Sequence, residues 1–363
     1  MMSIVMASIK DIASIANVSH STVSRALRNS PLVGVETAER IRRVADEQGY
    51  TVSAVARSLV TKRTYTIGVV VTDVADPFVG EVASGIEEVA QAEGYSLLLA
   101  SSHADPDREV RTVRLLHERR VDGIVVNASR VGAFYMQMLV KMNAPIVLVN
   151  NEHPGDFVHS VAIDNLNAAR DATRHLVELG HRRIGYLGNQ FGLQADTDRF
   201  AGYRQVLEEA GLGFLPELVA HGDGKPAGGM RAMEQLLNLP ERPTAVFCYN
   251  DMQAIGAMRM AREHGMRIPA DLSVIGLDDI SLASYTDPPL TTVQQPMGQL
   301  GRVAAQILLD LLSGGSPESR VKLPGKLIVR QSTAAPGSTQ QDSRSIPSKQ
   351  GTTGNTEEQE NLS

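Results

Sequence analysis

Thiols and tryptophan are nearly missing from this chain: its 363 residues include one cysteine, Cys248, and no Trp. A single thiol cannot close an internal disulfide or build a four-cysteine zinc site, so neither crosslinks nor a structural metal is expected, and a reducing, cytosolic setting is. Long apolar runs are missing too. No stretch approaches the ~18 apolar residues of a membrane span. The start, Met1-Met2-Ser3-Ile4-Val5-Met6-Ala7, lacks the positive charge of a secretory signal. Membrane insertion and secretion are therefore not expected. The chain also lacks a Gly-rich phosphate loop of the Walker or dinucleotide type, a zincin pairing among its nine histidines, and a Gly-x-Ser-x-Gly elbow. These absences argue against an enzyme, a cofactor and a bound metal.

What is present is a chain with 42% apolar and 21% charged residues, material for two or three packed domains. Its net charge of −6 is unevenly spread. Residues 1–65 hold nine Lys/Arg against five Asp/Glu, a balance of +4, which leaves −10 for the remainder. A basic head on an acidic body suggests a nucleic-acid-binding module joined to something else, the alternative being a merely solvated surface.

Beyond Tyr65, short apolar runs alternate with helical periods. The runs at 66–71, 96–100, 123–127 and 145–150 read as buried parallel strands, and the helix expected over 78–93 puts Val82, Ile86 and Val89 on one face before Gly94. The pattern restarts after Asp164 with helices at 167–179, 199–210 and 251–264 and strands at 183–187, 244–249 and 272–277. This is βαβ architecture in two doubly wound lobes, 66–163 and 164–290. Residues 290–330 add an extended piece, a helix at 298–312 and a last strand whose lobe the pattern leaves open. Residues 338–363, rich in Ser, Thr, Gln and Gly, read as a disordered tail without leucine heptads.

The basic head carries its own signal. Ile9, Ile12, Ala13 and Ala16 fall on one helical stripe, Asn17 suits a left-handed turn, and Ser19 can cap a second helix that buries Val23 and Leu27, with Val18 plugging the turn. That is a helix-turn-helix. Its second helix exposes His20, Ser21, Thr22 and Arg25 near the N-terminus, where side chains approach bases and phosphates; Arg25 has the reach to fork onto guanine. On spacing alone an ordinary helical hairpin is an equal reading.

Resemblance separates the two. The strings Ile9-Lys10-Asp11-Ile12-Ala13, Val18-Ser19-His20-Ser21-Thr22-Val23-Ser24-Arg25-Ala26-Leu27 and Ala56-Arg57-Ser58-Leu59 resemble the DNA-binding head of the lactose-repressor (LacI/GalR) family. The likeness continues through Asp164-Asn165, Leu179-Gly180-His181, Arg199-Phe200-Ala201-Gly202-Tyr203, Asn250-Asp251, Gly276-Leu277-Asp278-Asp279 and Leu327-Ile328-Val329-Arg330, so it spans roughly residues 8–336. It implies an all-α helix-turn-helix headpiece (8–52), a hinge helix and linker (53–65), and an α/β core (66–336) of two doubly wound lobes resembling periplasmic sugar-binding proteins. It also implies a homodimer or tetramer on a palindromic double-stranded operator, a dimer being favoured by the featureless tail. Where the family usually has Asn, a helix cap, Arg and Pro, this chain has Arg28, Gly34, Ala38 and Val52. Arg28 adds a phosphate contact and Ala38 removes one, which changes the details of docking and not the motif.

The hinge Ser53-Ala54-Val55-Ala56-Arg57-Ser58-Leu59 is helix-compatible, yet seven residues fall below the ~12 to 15 that an isolated helix needs. The resemblance implies that two hinges pair in the minor groove, Leu59 wedging into the central base step and Ala56 allowing close approach; the plain alternative is a linker with Leu59 docked on the core.

Open parallel sheets bind ligands beyond the carboxyl ends of their strands. Asp73, Asn127, Asp164, Asn250 and Asp278 fall there, Phe78 can cover an apolar ligand face, and Arg199 begins a helix nearby. The strand ends put Asp73 at a cleft between the lobes, and the resemblance assigns Phe78, Asn127, Asp164, Arg199, Asn250 and Asp278 to effector binding there. Local alternatives are that Asp164 or Asp251 caps a helix, Asp73 serves a turn, and Arg199 pairs with Asp196 or Asp198. Asp278-Asp279 is also open to reading as a catalytic pair, although adjacent residues at a strand end point apart. Leu193 and Gly224 stand where a purine-binding member has an arginine and an aromatic, so a sugar or related polar metabolite is the expected effector. The rival functions are a solute-binding protein and a sugar-modifying enzyme. Leu59→Ala is expected to weaken operator binding in a gel shift while leaving effector affinity, read by calorimetry, unchanged.

Overall fold

The structure, a computed structural model, describes residues 7–50, 58, 61–131, 144–151 and 159–337. The hinge residues Ala56 and Leu59 and the tail 338–363 lie outside the described residues. The chain divides into two compact units.

The first unit begins with three helices, α1 (Ile9–Ile15), α2 (His20–Ala26) and α3 (Val35–Glu47). Ser8 and Asp11 close a capping box on α1, the Asp11 carboxylate accepting from the Ser8 backbone at 2.8 Å. Asn17 takes the turn with φ of 51°, and the Ser19 hydroxyl accepts from the Thr22 backbone at 3.1 Å to cap α2. The apolar stripe is the core: Ile12, Ala13 and Ala16 meet Val23 and Ala26, with Ala38, Ile41 and Ala45 of α3 completing the cluster and Val18 and Leu27 on its edge. Ala38 packs inward, so the alanine there serves the headpiece core.

After residue 61 the chain runs β1 (Thr66–Val71), α4 (Pro77–Ala92), β2 (Ser96–Ser101), α5 (Pro106–Glu118), β3 (Gly123–Asn127), β4 (Ile146–Val149) and β5 (His159–Ile163). It then enters the second unit with α6 (Asn165–Glu178), β6 (Ile184–Asn189), α7 (Gln194–Glu209), β7 (Val219–Gly222), α8 (Pro226–Leu237), β8 (Ala245–Cys248), α9 (Asp251–Glu263), β9 (Ser273–Ile275) and β10 (Thr292–Gln294). Residues 296–324 return to the first unit as α10 (Met297–Leu312) and β11 (Arg320–Leu323), and β12 (Lys326–Ile328) closes the second.

The first sheet is parallel throughout, in the order β11-β5-β4-β3-β1-β2. Val70, Ile124, Val126 and Leu148 pack with Val113 and Leu116 of α5 in its core. One expectation fails here. Strand β2 is not buried: it is the sheet's edge, paired with β1 alone, and leaves Leu98 and Leu99 38% and 41% exposed. The second unit holds a parallel sheet, β7-β6-β8-β9, and an antiparallel pair, β10-β12. The open question of residues 290–330 therefore has a divided answer, α10 and β11 belonging to one unit and β10 and β12 to the other.

Backbone contacts between helices explain several glycines. A Cβ on Gly301 of α10 would lie 2.1 Å from the Val82 carbonyl of α4, and one on Gly256 of α9 would lie 1.9 Å from the Pro226 carbonyl of α8. No side chain fits at either place. Among the described residues no helix is long and apolar enough to cross a membrane.

The Leu179-Gly180-His181 string also has a physical reason. His181 is buried, its Nε2 donating to the Ala334 carbonyl at 2.8 Å while Nδ1 meets the Thr244 hydroxyl at 2.9 Å. The ring ties the end of α6 to the start of β8 and to the segment after β12. Burial holds its pKa below the ordinary 6.5, and burial does the same to His175. The unfolded chain thus binds protons first on acidification, so this stabilisation is present above pH 6.5 and is lost as pH falls through the folded value. Urea denaturation should show a loss of stability from pH 7.5 to 5 that is smaller in His181→Gln; an equal loss in both proteins would contradict this role.

Candidate functional site

On the headpiece, α2 presents His20, Ser21 and Arg25 to solvent with Thr22 half-buried. The Ser19 hydroxyl lies 2.7 Å from that of Ser21 and 2.8 Å from that of Thr22, so both serve the cap in the free protein and have hydroxyl capacity left for a phosphate. Arg28 folds back on Ser24, its Nε donating to the Ser24 carbonyl at 2.9 Å and Nη2 to the Ser24 hydroxyl at 2.8 Å. Arg25 has no such tether among the described residues.

In the first unit the parallel strands bring Asp73, Asn127 and Asp164 to one edge of the sheet. Asp73 serves a turn, its Oδ1 accepting from the Ala75 backbone at 3.0 Å, as the local alternative holds. Phe78 is buried at the start of α4. Asn127 ends β3 buried, and its Oδ1 has no hydrogen-bond partner among the described residues. Leaving a buried amide oxygen unpaired costs about 1–3 kcal/mol, a cost that a hydroxyl donor can remove. Just after it, the buried Glu109 carboxylate accepts from the Ser129 hydroxyl and, at 3.0 Å, from the Arg130 backbone, which pins the turn following Asn127.

The second unit is organised around Arg199 of α7. Its guanidinium is buried, Nε donating to Asn165 Oδ1 at 2.8 Å, Nη1 donating to the Tyr249 carbonyl at 2.5 Å, and Cζ lying 4.6 Å from the centre of the Tyr249 ring. The surface pairing with Asp196 or Asp198 is not made. Asp196 instead accepts from the Tyr186 hydroxyl at 2.7 Å, and burial raises its pKa despite that bond. The rest of the Arg199-Phe200-Ala201-Gly202-Tyr203 string holds α7 in place. Phe200 and Tyr203 pack on Tyr186, and a Cβ on Gly202 would lie 2.4 Å from the Leu166 carbonyl of α6.

Asn250 caps α9, Oδ1 accepting from the Gln253 backbone at 2.9 Å, and its Nδ2 donates to the Gly224 carbonyl at 3.0 Å. Gly224 has φ of +78°, a conformation that glycine adopts without the strain any other side chain would meet. Asp278 and Asp279 both have positive φ, 133° and 60°, and the sharp turn sends them apart. Asp278 accepts from Gln295 at 2.5 Å, whereas Asp279 takes Arg330 at 2.5 Å and Gln294 at 2.9 Å. They do not form a catalytic pair. Asp251 is buried beneath, accepting from the Thr292 hydroxyl at 2.5 Å and the Ile280 backbone at 3.0 Å, and burial pushes its carboxyl up to about 7. Among the described residues no group of three or more His, Cys, Asp or Glu could hold a metal.

Asn165 and Tyr249 were not singled out in the sequence. Each flanks a residue that was, Asp164 and Asn250, and being next to a strand's carboxyl end was the available signal.

Comparison with known proteins identifies the family. Residues 8–53 match the model of bacterial regulatory proteins of the lacI family, and residues 173–333 match a periplasmic binding protein-like domain. The HTH-type transcriptional repressor CytR of Escherichia coli (strain K12) is 38% identical over 331 residues, 91% of this chain and 97% of that protein. Among solved structures, a lac repressor dimer bound to operator and the anti-inducer ONPF is 28% identical with a TM-score of 0.83, covering 91% of this chain and 99% of that one. A complex of the transcriptional regulator CelR with cellobiose is 31% identical with a TM-score of 0.69, covering 90% and 99%. These relatives are transcriptional regulators and not enzymes, and the chain belongs to the lacI family of bacterial regulatory proteins.

Proposed function

We propose that this transcriptional regulator represses by binding a palindromic operator as a homodimer, and that a polyhydroxylated metabolite held by its core sets the strength of that grip. The working division is a headpiece at 8–52, a connector at 53–65 and a core at 66–336. His20, Ser21, Thr22 and Arg25 face the bases, and Arg28, freed from Ser24, reaches a phosphate. Ala56 and Leu59 carry the minor-groove contact. On the core, effector contacts are assigned to Asn127, Asp73, Phe78 and Asp164 in the first unit and to Arg199, Asp278 and Asn250 in the second.

The observation that carries the effector reading is incomplete pairing of rigidly held groups. Arg199 is fixed by Asn165 and Tyr249, yet no partner for Nη2 is found among the described residues, and Asn127 Oδ1 is buried without one. Each of these groups by itself suits a hydroxyl, which both donates and accepts. That a relative was solved with cellobiose supports a carbohydrate. Neither a transport protein nor a sugar-modifying enzyme draws support from the relatives.

A gel shift on the DNA upstream of its own gene should show specific, salt-sensitive binding. Arg25→Ala should weaken it by about 1–3 kcal/mol, roughly 5- to 150-fold. Turnover of a sugar with no DNA binding would favour the enzyme instead. A thermal-shift screen of mono- and disaccharides should find a ligand that changes the gel shift. Arg199→Ala should abolish that response while keeping operator affinity without ligand within about threefold, because α2 is untouched.

A further inference from the structure

We infer that the first unit carries a second ligand site, for a phosphate monoester of monosaccharide size, at the edge of its sheet opposite to the strand ends described above. A recess of about 600 Å³ opens there, within the ~300 to 1,000 Å³ common for small-molecule sites. It is lined by Lys62 and Arg63, which lead into β1, by Arg120 and Asp122, which lead into β3, and by His117 and Glu118 at the end of α5.

The charges in this recess are not equally available. Asp122 is fully engaged: Oδ1 accepts from the Thr64 backbone at 2.9 Å and Oδ2 from the Tyr65 backbone at 2.8 Å, with the Thr64 hydroxyl at 3.1 Å. Arg63 Nη2 donates to the Leu312 carbonyl at the end of α10 at 2.6 Å. Lys62 and Arg120 have no side-chain partner among the described residues.

Cations near helix ends often serve the last carbonyls. Here that need is already met. The end of α5 is closed by Arg119 N to Leu115 O at 3.0 Å and Arg120 N to His117 O at 2.8 Å, and the end of α10 by Gly314 N to Leu311 O at 3.1 Å and Gly315 N to Asp310 O at 2.8 Å. The recess holds three cations, Lys62, Arg63 and Arg120, against two carboxylates, Glu118 and Asp122, and of the cations Lys62 and Arg120 are the two whose donors are uncommitted among the described residues. A phosphate fits the cations, and a hydroxyl of the same molecule fits Glu118.

The backbone around the recess is set in advance. Lys62 and Arg120 both hold left-handed conformations, φ 56° and 59°, and the Arg120 carbonyl accepts from the Thr64 hydroxyl at 2.8 Å. Thr64 thereby joins the segment leaving the connector to the turn before β3. A phosphate spanning Lys62 and Arg120 tightens the same junction, and so bears on where the connector leaves the lobe.

The test uses the full-length protein in phosphate-free buffer, with calorimetric titration of glucose 6-phosphate, inorganic phosphate and glucose. Glucose 6-phosphate should bind. Lys62→Ala and Arg120→Ala should each weaken it about tenfold or more, and Arg120→Lys should retain most of it. Arg199→Ala should leave it unchanged, which keeps this site separate from the effector reading. Absence of binding by both phosphate probes at about 10 mM would overturn the proposal, as would binding that survives both alanine substitutions. So would a third result: no phosphate-ester binding, together with a salt slope for duplex DNA lowered by about one per substitution, which would make these cations DNA contacts.

Discussion

Within each of the two parallel sheets all strands point the same way, and much else follows from that constraint. Parallel strands gather their carboxyl ends on one edge and their amino ends on the other, so backbone groups at those edges have no ladder partners and polar side chains must meet them. The carboxyl edges hold Asn127 in one unit and Asn250 and Asp278 in the other. The amino edge of the first sheet holds Asp122, whose carboxylate takes the backbone N–H groups of Thr64 and Tyr65. The same feature thus produces both polar surfaces of the first unit, and the chemistry of each depends on which groups remain after the backbone is satisfied.

Arg199 shows how a site is prepared at a cost. Taking a guanidinium out of water is unfavourable unless it is paired. Among the described residues no carboxylate pairs with it directly. An amide oxygen, a backbone carbonyl and an aromatic face share the charge, and the neighbouring Asp196 is occupied by Tyr186. Neutral partners fix the orientation of the fork without cancelling its charge, so its attraction for an incoming acceptor persists. An ion pair would have held the side chain as firmly and left less for a ligand.

The fold was legible wherever periodicity was undisturbed. The helix-turn-helix could be read because its apolar stripe, turn asparagine and capping serine are all local. Elements went unread where a residue served a distant contact. Helix α8 contains Gly228 and Gly229, which look like a loop; Gly229 is there because Gln253 of α9 leaves no room for a Cβ, its carbonyl lying 2.1 Å away from one. Strands β5 (His-Ser-Val-Ala-Ile) and β7 (Val-Ala-His-Gly) went unread because polar residues and glycine shorten their apolar runs, whereas β4 and β8, of no greater length, are apolar throughout. The edge position of β2 was invisible because Leu97, Leu98 and Leu99 would suit a buried strand equally well. For the site, residue types at strand ends were readable, but the commitments of Asn250 to Gly224 and of Arg199 to Tyr249 depend on neighbours far along the chain.

A single headpiece offers limited reading power. Helix α2 has seven residues, and Arg25, in its last turn, is the one exposed side chain on it long enough for a bidentate base contact. Good bidentate contacts contribute about 1–3 kcal/mol each, short of what separates one operator from a genome of competitors. The +4 head adds attraction that does not depend on sequence, opposed by a body of −10. Specificity must then come from two heads acting together, where the second binds at an effective concentration set by the connector. The seven residues 53–59, too few to be helical alone, make that concentration sensitive to where each lobe releases the chain. A shift worth about 1–3 kcal/mol at that point is enough to change occupancy severalfold to a hundredfold, so a small ligand with no contact to DNA can decide whether the operator is held.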